Sequence, residues 1–207
     1  MNLLRYIVLL QFATILAIGQ AVRQGNPPSL PSEPEALVRS LYQQVVARHP
    51  TGLPRGADMK VFAPYLSKSL LHRIGLADAC ARDWVRQDQE RMLTNNQVPE
   101  KAPFGWAESG LFSGADERTG PNAFVIEKTE SKKDGSIQVY VRLMLSSPPP
   151  EIWEVAAVLV EENEHPVIDD VIYLKGGESD TEYRLSEVLV KGCNGPRWVG
   201  HDWAPHP

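Results

Sequence analysis

Most of the usual carriers of enzyme chemistry are missing from this chain. It has no GxGxxG turn and no phosphate-binding loop, which disfavours a nucleotide-cofactor enzyme. No serine sits in a GxSxG elbow, so a hydrolase nucleophile of that type is absent. Histidine is sparse. His49, His72, His165, His201 and His206 are all there is, and none has the i, i+4 spacing of a helical metal pair. His201, Asp202 and His206 cluster near the C-terminus, but a tail without a fixed frame is no preorganised metal site. The expectation is no cofactor and no metal. Positive charge is in the minority, with 21 Lys and Arg against 26 Asp and Glu and a net charge of −5. That argues against a nucleic-acid binder, which needs a basic excess to meet phosphates, and against a polybasic membrane-surface role. Cysteine is scarce too. The two residues, Cys80 and Cys193, have no neighbouring histidine to activate them.

Long apolar runs are limited to one, at the N-terminus. Arg5 precedes an apolar stretch over 6–19, broken by Gln11 and Thr14, and Gly19-Gln20-Ala21 follows with small residues at both outer positions. This is the layout of a secretory signal, and the run is shorter than the roughly 20 residues that span a bilayer comfortably. Cleavage is expected after Ala21, with an uncleaved anchor as the alternative. No cysteine follows the run to take a lipid. Cleavage removes one charge, Arg5, so the net moves from −5 to −6 and no stable membrane insertion remains. The expected organisation is a signal peptide over 1–21, a Pro-rich polar linker over 22–34, one domain over 35–203 and a tail over 204–207. Export places the chain in the periplasm or outside the cell. There the oxidising milieu favours a single disulfide between Cys80 and Cys193 over two separate buried thiols.

The rest of the chain falls into helices, then strands. Ser32 and Glu35 have capping-box spacing, with Pro34 in the first turn, and Leu37, Val38, Leu41, Val45 and Val46 recur on one helical face. Pro50, Gly52 and Pro54 end that helix. A short helical piece over 59–66 precedes Ser67, the expected N-cap of a longer helix. Its stripe is Leu70, Ile74, Ala77, Ala81 and Trp84, and it fades near Asn95-Asn96. Residues 124–127 are β-rich, Asp134-Gly135 signals a turn, and 137–145 alternate with period two. A second alternating run starts at Trp153, and a third strand spans 167–174. Residues 103–120 read as a Gly-rich loop with a short strand at 105–107. Residues 183–190 suit either helix or strand, and 197–200 a final short strand. Helices first and an antiparallel meander afterwards give an α+β fold rather than a parallel α/β sheet.

The order of elements and the strand Val167-Ile168-Asp169-Asp170-Val171-Ile172-Tyr173 resemble the nuclear transport factor 2-like cone fold. The stretch Trp106-Ala107-Glu108-Ser109-Gly110-Leu111-Phe112-Ser113-Gly114 and the end Cys193-Asn194-Gly195-Pro196-Arg197-Trp198-Val199-Gly200 are similar to a bacterial exported family of unknown function within that superfamily. The resemblance covers roughly residues 33 to 203. It implies N-terminal helices packed on a strongly curved antiparallel sheet with a pocket on the concave side. It implies no particular chemistry, since one fold hosts enzymes and binding modules alike. Domains of this kind also dimerise through the outer sheet face, so a homodimer is one expectation.

Four groups of residues are candidates for function. Asp169 and Asp170 lie on one strand, where at most one can enter a pocket and serve as a general base, with Tyr140 or Tyr173 as hydrogen-bond donor. The plain alternative is a carboxylate bonded to nearby backbone. Asp78, Asp83, Asp88 and Glu90 line one helix with Arg82 and Arg86, the pattern of a solvated, ion-paired face. Trp84, Trp106, Trp153, Trp198 and Trp203, with Tyr140 and Tyr173, could line a pocket for an apolar or carbohydrate ligand, although Trp84 and Trp153 have periodic apolar neighbours and read as core. Phe104, Trp106, Phe112 and Trp198 are the binding candidates, the first three because rigid aromatics on a loop make contact sites. The leading expectation is a non-catalytic module that binds a small molecule or an exported protein partner. A cofactor-free isomerase or hydratase using a pocket aspartate is an alternative. So is an inhibitor or immunity protein whose acidic surface suits a basic target.

Overall fold

The first helix, α1, spans Glu33–Arg48 and buries Val38, Leu41, Tyr42 and Val45, the face its periodicity marks. Its cap differs from the expected box. The Ser32 side chain makes no capping bond, and Glu35 Oε1 instead accepts the Thr129 hydroxyl at 2.8 Å, tying the helix start to a strand. In the computed structural model the described residues are 32–95, 98–115, 120–174, 182–193, 197–198 and 203–204. All belong to the compact unit Pro31–Pro207. The expected signal over 1–21 lies outside the described residues. Among those described, no helix is long and apolar enough to cross a membrane.

After α1 come α2 (Gly56–Phe62), a 3-10 turn (Ala63–Tyr65) and the long α3 (Lys68–Asn95). Ser67 caps α3 as expected, its hydroxyl oxygen accepting the Leu70 N–H at 2.9 Å. The strands are β1 (Ala123–Ser131), β2 (Ile137–Leu145), β3 (Glu151–Glu162), β4 (His165–Tyr173) and β5 (Tyr183–Arg184). They form one antiparallel sheet in the order β1-β2-β3-β4-β5. Residues 183–190 hold both structures that their sequence allowed, since β5 runs straight into α4 (Leu185–Val190). Two short strands, β6 (Arg197–Trp198) and β7 (Trp203–Ala204), pair with each other, and β7 reaches one residue into the expected tail. The strand expected at 105–107 is a turn instead, closed by Ala107 N–H donating to the Phe104 carbonyl at 3.1 Å.

Period two in β2 to β4 delivers one face to the helices. Val139, Val141, Leu143, Val155, Ala157, Leu159, Ile168, Val171 and Tyr173 meet Leu41, Tyr42, Leu70, Ile74, Leu185 and Leu189 in one core. Burial of each large apolar side chain contributes roughly 1.5–3 kcal/mol, so this layer carries most of the stabilisation. The opposite face has a smaller cluster of Ala156, Val158 and Ile172, covered in part by Tyr140 and Leu174. Alternation breaks once in β4. Val158 pairs with Asp170 and Leu159 with Ile168, so Asp169 is the extra residue of a β-bulge.

The loop between α3 and β1 dives into the core. Leu111, Phe112 and Ser113 are at most 2% exposed, and their three consecutive carbonyls need partners. Each receives one from a different element. The Tyr173 hydroxyl donates to Leu111 O at 2.5 Å, the Tyr42 hydroxyl to Phe112 O at 2.9 Å and the Trp153 indole N–H to Ser113 O at 2.8 Å. Burial pushes both phenols above the ordinary tyrosine range, which keeps them protonated and donating. Gly114, at φ 69°, completes the fit, because a Cβ there would stand 2.7 Å from the Tyr173 ring.

Cys80 of α3 and Cys193, three residues past α4, form the expected disulfide with their Cα atoms 5.9 Å apart. The bond spans 113 residues of sequence, so in the chain-entropy picture it stabilises the fold by about 4 kcal/mol. We expect reduction, or Cys193→Ser, to lower stability by about 2–4 kcal/mol in urea denaturation. A reduced protein with an unchanged midpoint, or two reactive thiols in denatured, unreduced protein, would refute the bridge's role.

Candidate functional site

The described residues enclose a pocket of ≈ 510 Å³ where the clamped loop, β4, β5 and α4 meet. Gly105, Ser109 and Gly114 form the loop wall, Tyr173 and Tyr183 the sheet wall, and Glu187, Val188 and Lys191 the helix wall. The volume falls within the usual range for small-molecule sites. The two tyrosine rings pack on each other, 4.7 Å apart at 32°; Tyr173 is 6% exposed, so the ring presented to the pocket is chiefly that of Tyr183. Tyr173 is held by its bond to Leu111 O, whereas the Tyr183 hydroxyl has no hydrogen-bond partner among the described residues. Partial burial raises the Tyr183 phenol's pKa, so it too is a donor at neutral pH.

Local sequence explains the helix wall. Leu185 and Leu189 are four apart and turn into the core, Val188 at i+3 packs partly against it at the pocket's edge, and Glu187 and Lys191 lie off that face, exposed. Glu187 Oε2 accepts the Arg184 backbone N–H at 3.1 Å, closing the first turn of α4. These pocket residues were not singled out by sequence. The spacing of Leu185 and Leu189 is the signal that exposes the α4 wall, once the segment is known to be helical.

Of the proposed acid–base residues, only Tyr173 lines the pocket. Asp170, 5% exposed, accepts the Ser186 N–H at 3.0 Å and the Ser186 hydroxyl at 2.7 Å, with the Arg184 guanidinium 3.6 Å away. It therefore caps α4 from the neighbouring strand. Asp169, pushed out by the bulge, accepts the Ser67 hydroxyl at 2.6 Å at the start of α3. Both carboxylates thus stabilise helix starts, where N–H groups lack intrahelical partners. Tyr140 belongs to the small cluster on the other sheet face. Its hydroxyl lies among Glu130, Gln138 and Lys132, and the Lys128 ammonium sits 4.2 Å from its ring centre.

The loop aromatics also fall inside. Phe104, Trp106 and Phe112 are 6%, 4% and 0% exposed, so in this conformation they offer no surface to a partner. Phe104 stacks on Trp106 at 4.8 Å and meets Trp84 edge-on, and Phe112 packs on Phe62 at 5.0 Å. The carbonyl clamp holds Phe112 inside, and packing on Trp84 and on each other buries Phe104 and Trp106. Trp106 Nε1–H is a buried donor with no acceptor among the described residues. The Trp198 backbone pairs with Trp203 in β6 and β7, and its side chain lies outside the described residues, as do His201 and His206. Every acid of the α3 cluster has a cation. Asp78 pairs with Arg55 and Arg82, Asp83 and Glu90 with Arg86, and Asp88 with Arg91. No metal-binding cluster occurs among the described residues.

No family model matches this chain, and no curated protein or solved structure matches it either.

Two predictions follow from the carboxylates. Asp170→Ala should destabilise the fold by about 2 kcal/mol in chemical denaturation, because it leaves the Ser186 donors unpaired at a helix start. An unchanged midpoint would contradict the capping role. Glu130, bonded chiefly by Lys128 and then Lys132, has its pKa lowered from an ordinary 4.5 to about 2. A depressed carboxylate stabilises the fold fully above its unfolded pKa and loses that contribution as pH falls through the folded one. An NMR titration should therefore place the Glu130 midpoint near 2 and move it upward in Lys128→Met. A midpoint at 4.5 in the unsubstituted protein would show that the cluster does not hold in solution.

Proposed function

We propose that this chain is an exported, non-catalytic module of the nuclear transport factor 2-like cone-fold kind that binds a small molecule between its buried loop and α4. The observation that carries this reading is the ≈ 510 Å³ pocket, walled by the paired Tyr173 and Tyr183 and edged by Lys191. Such a mix of aromatic surface and few polar groups is how small-ligand sites obtain affinity and orientation together. Export is supported by the N-terminal charge and apolar pattern and by the Cys80–Cys193 bridge, which persists in oxidising surroundings. The cone-fold assignment is supported by the helices-then-meander order around one antiparallel sheet.

A proton-shifting enzyme would need a carboxylate turned into the pocket in apolar surroundings. Asp169 and Asp170 are engaged at helix starts, and the pocket's own carboxylate, Glu187, is exposed and bonded to backbone. Binding without turnover is the reading that fits these groups.

A fragment screen followed by amide NMR tests the site. Shifts should gather on Tyr173, Tyr183, Val188 and Lys191. Val188→Trp, which fills the pocket from its partly buried helix wall, should abolish them in a protein whose amide spectrum away from the pocket stays that of the folded chain. Binding that survives Val188→Trp, or shifts confined to the other sheet face, would place the site elsewhere.

A further inference from the structure

The pocket carries charge of both signs, but the two are not equally available. Glu187 is committed through one carboxylate oxygen to the Arg184 N–H, in the first turn of α4. Lys191 makes no ion pair and no side-chain hydrogen bond among the described residues, although its stem lies against the loop, 3.9 Å from where a Gly105 Cβ would be. The other cation near α4, Arg184, is turned toward Asp170. Both charges therefore persist at the pocket, but Glu187 has one oxygen already accepting a backbone N–H, whereas every N–H of the Lys191 ammonium is without an acceptor among the described residues. The Tyr183 hydroxyl, on a residue lining the same pocket, is a donor with no acceptor among the described residues, and its ring packs on Tyr173, which is fixed by its bond to Leu111 O.

We propose that the ligand class of this pocket is a small aromatic carboxylate, its ring against Tyr183, which Tyr173 backs, and its anion at the Lys191 ammonium and the Tyr183 hydroxyl. The proposal rests on the pocket reading given above. Its logic is complementarity. A ring gains area and quadrupole contacts on the tyrosine wall. A carboxylate accepts charge-assisted bonds from two donors that otherwise face water. A cationic ring would meet Lys191 as a like charge and would find only the partly engaged Glu187.

Three indole compounds of nearly equal shape serve as probes: indole-3-acetate, indole-3-acetamide and tryptamine. Calorimetry and amide NMR on the oxidised full chain should rank them in that order. The acetate should lead the amide by about fivefold, the upper range for a partly solvated ion pair. Added salt should narrow that gap. Lys191→Gln, a change at an exposed position, should bring acetate and amide to equal affinity without moving the melting temperature. Tyr183→Leu should weaken both by about tenfold and narrow the acetate's lead without abolishing it, since the ring and one of the two donors are lost together. Tryptamine binding as tightly as the acetate, or an acetate preference unchanged in Lys191→Gln, would overturn the ligand class while leaving the pocket intact. Failure of all three probes to shift Tyr183, Val188 or Lys191, with fragments of other chemistry still shifting them, would overturn the class as well. If no fragment of any kind shifts those residues, the pocket reading itself is wrong.

Discussion

Three consecutive carbonyls buried in one loop set the terms for this structure. Leu111, Phe112 and Ser113 cannot reach water, and an unpaired carbonyl in that setting costs about 1–3 kcal/mol. Their partners come from α1, β3 and β4, each through an aromatic side chain with a polar tip. Tyr42, Trp153 and Tyr173 therefore do two jobs: their rings fill the core and their donors hold the loop. Because the three donors sit on separate elements, the loop is satisfied only when helix and sheet are already packed. The pocket depends on this arrangement, since the clamped loop is one wall and Tyr173 is part of another.

The third wall, α4, has six residues, too few for a helix to persist unaided. It is held by Leu185 and Leu189 in the core, by Asp170 at its start and by the Cys80–Cys193 bond just past its end. The bulge at Asp169 makes this possible. An unbroken strand would send the two aspartates to opposite faces, whereas the extra residue lets one reach the cap of α3 and the other the start of α4. Two neighbouring carboxylates that look like catalytic acids in sequence are thus the fasteners between sheet and helices.

Much of the fold was legible in the sequence because it is written in periodicity. The stripe from Leu70 to Ala81, the alternation over 137–145, the cap at Ser67 and the turn at Asp134-Gly135 each reflect local geometry that a short window captures. The disulfide followed from simple arithmetic on two cysteines. The site was less legible. Nothing local announces that Phe104, Trp106 and Phe112 turn inward, because what holds them, packing on Trp84 for the first two and the bonds from Tyr42, Trp153 and Tyr173 around the third, comes from elements distant in sequence. Tyr140 and Tyr173 look alike on paper, and only the strand register sends one to the outer cluster and the other to the pocket. The Ser32–Glu35 box failed for a related reason, since Thr129 competes for the same carboxylate.

The most direct test of this account is native-state hydrogen exchange at the loop amides of Gly110 and Gly114, which are bonded to Ala115 O and Gly110 O, both at 2.7 Å. If the carbonyl clamp makes the loop part of the core, these amides will exchange only through global unfolding, with the same denaturant dependence as those of β2 and β3. Exchange through a local opening that ignores denaturant would mean the loop moves independently of the sheet, and the clamp would not be what shapes the pocket.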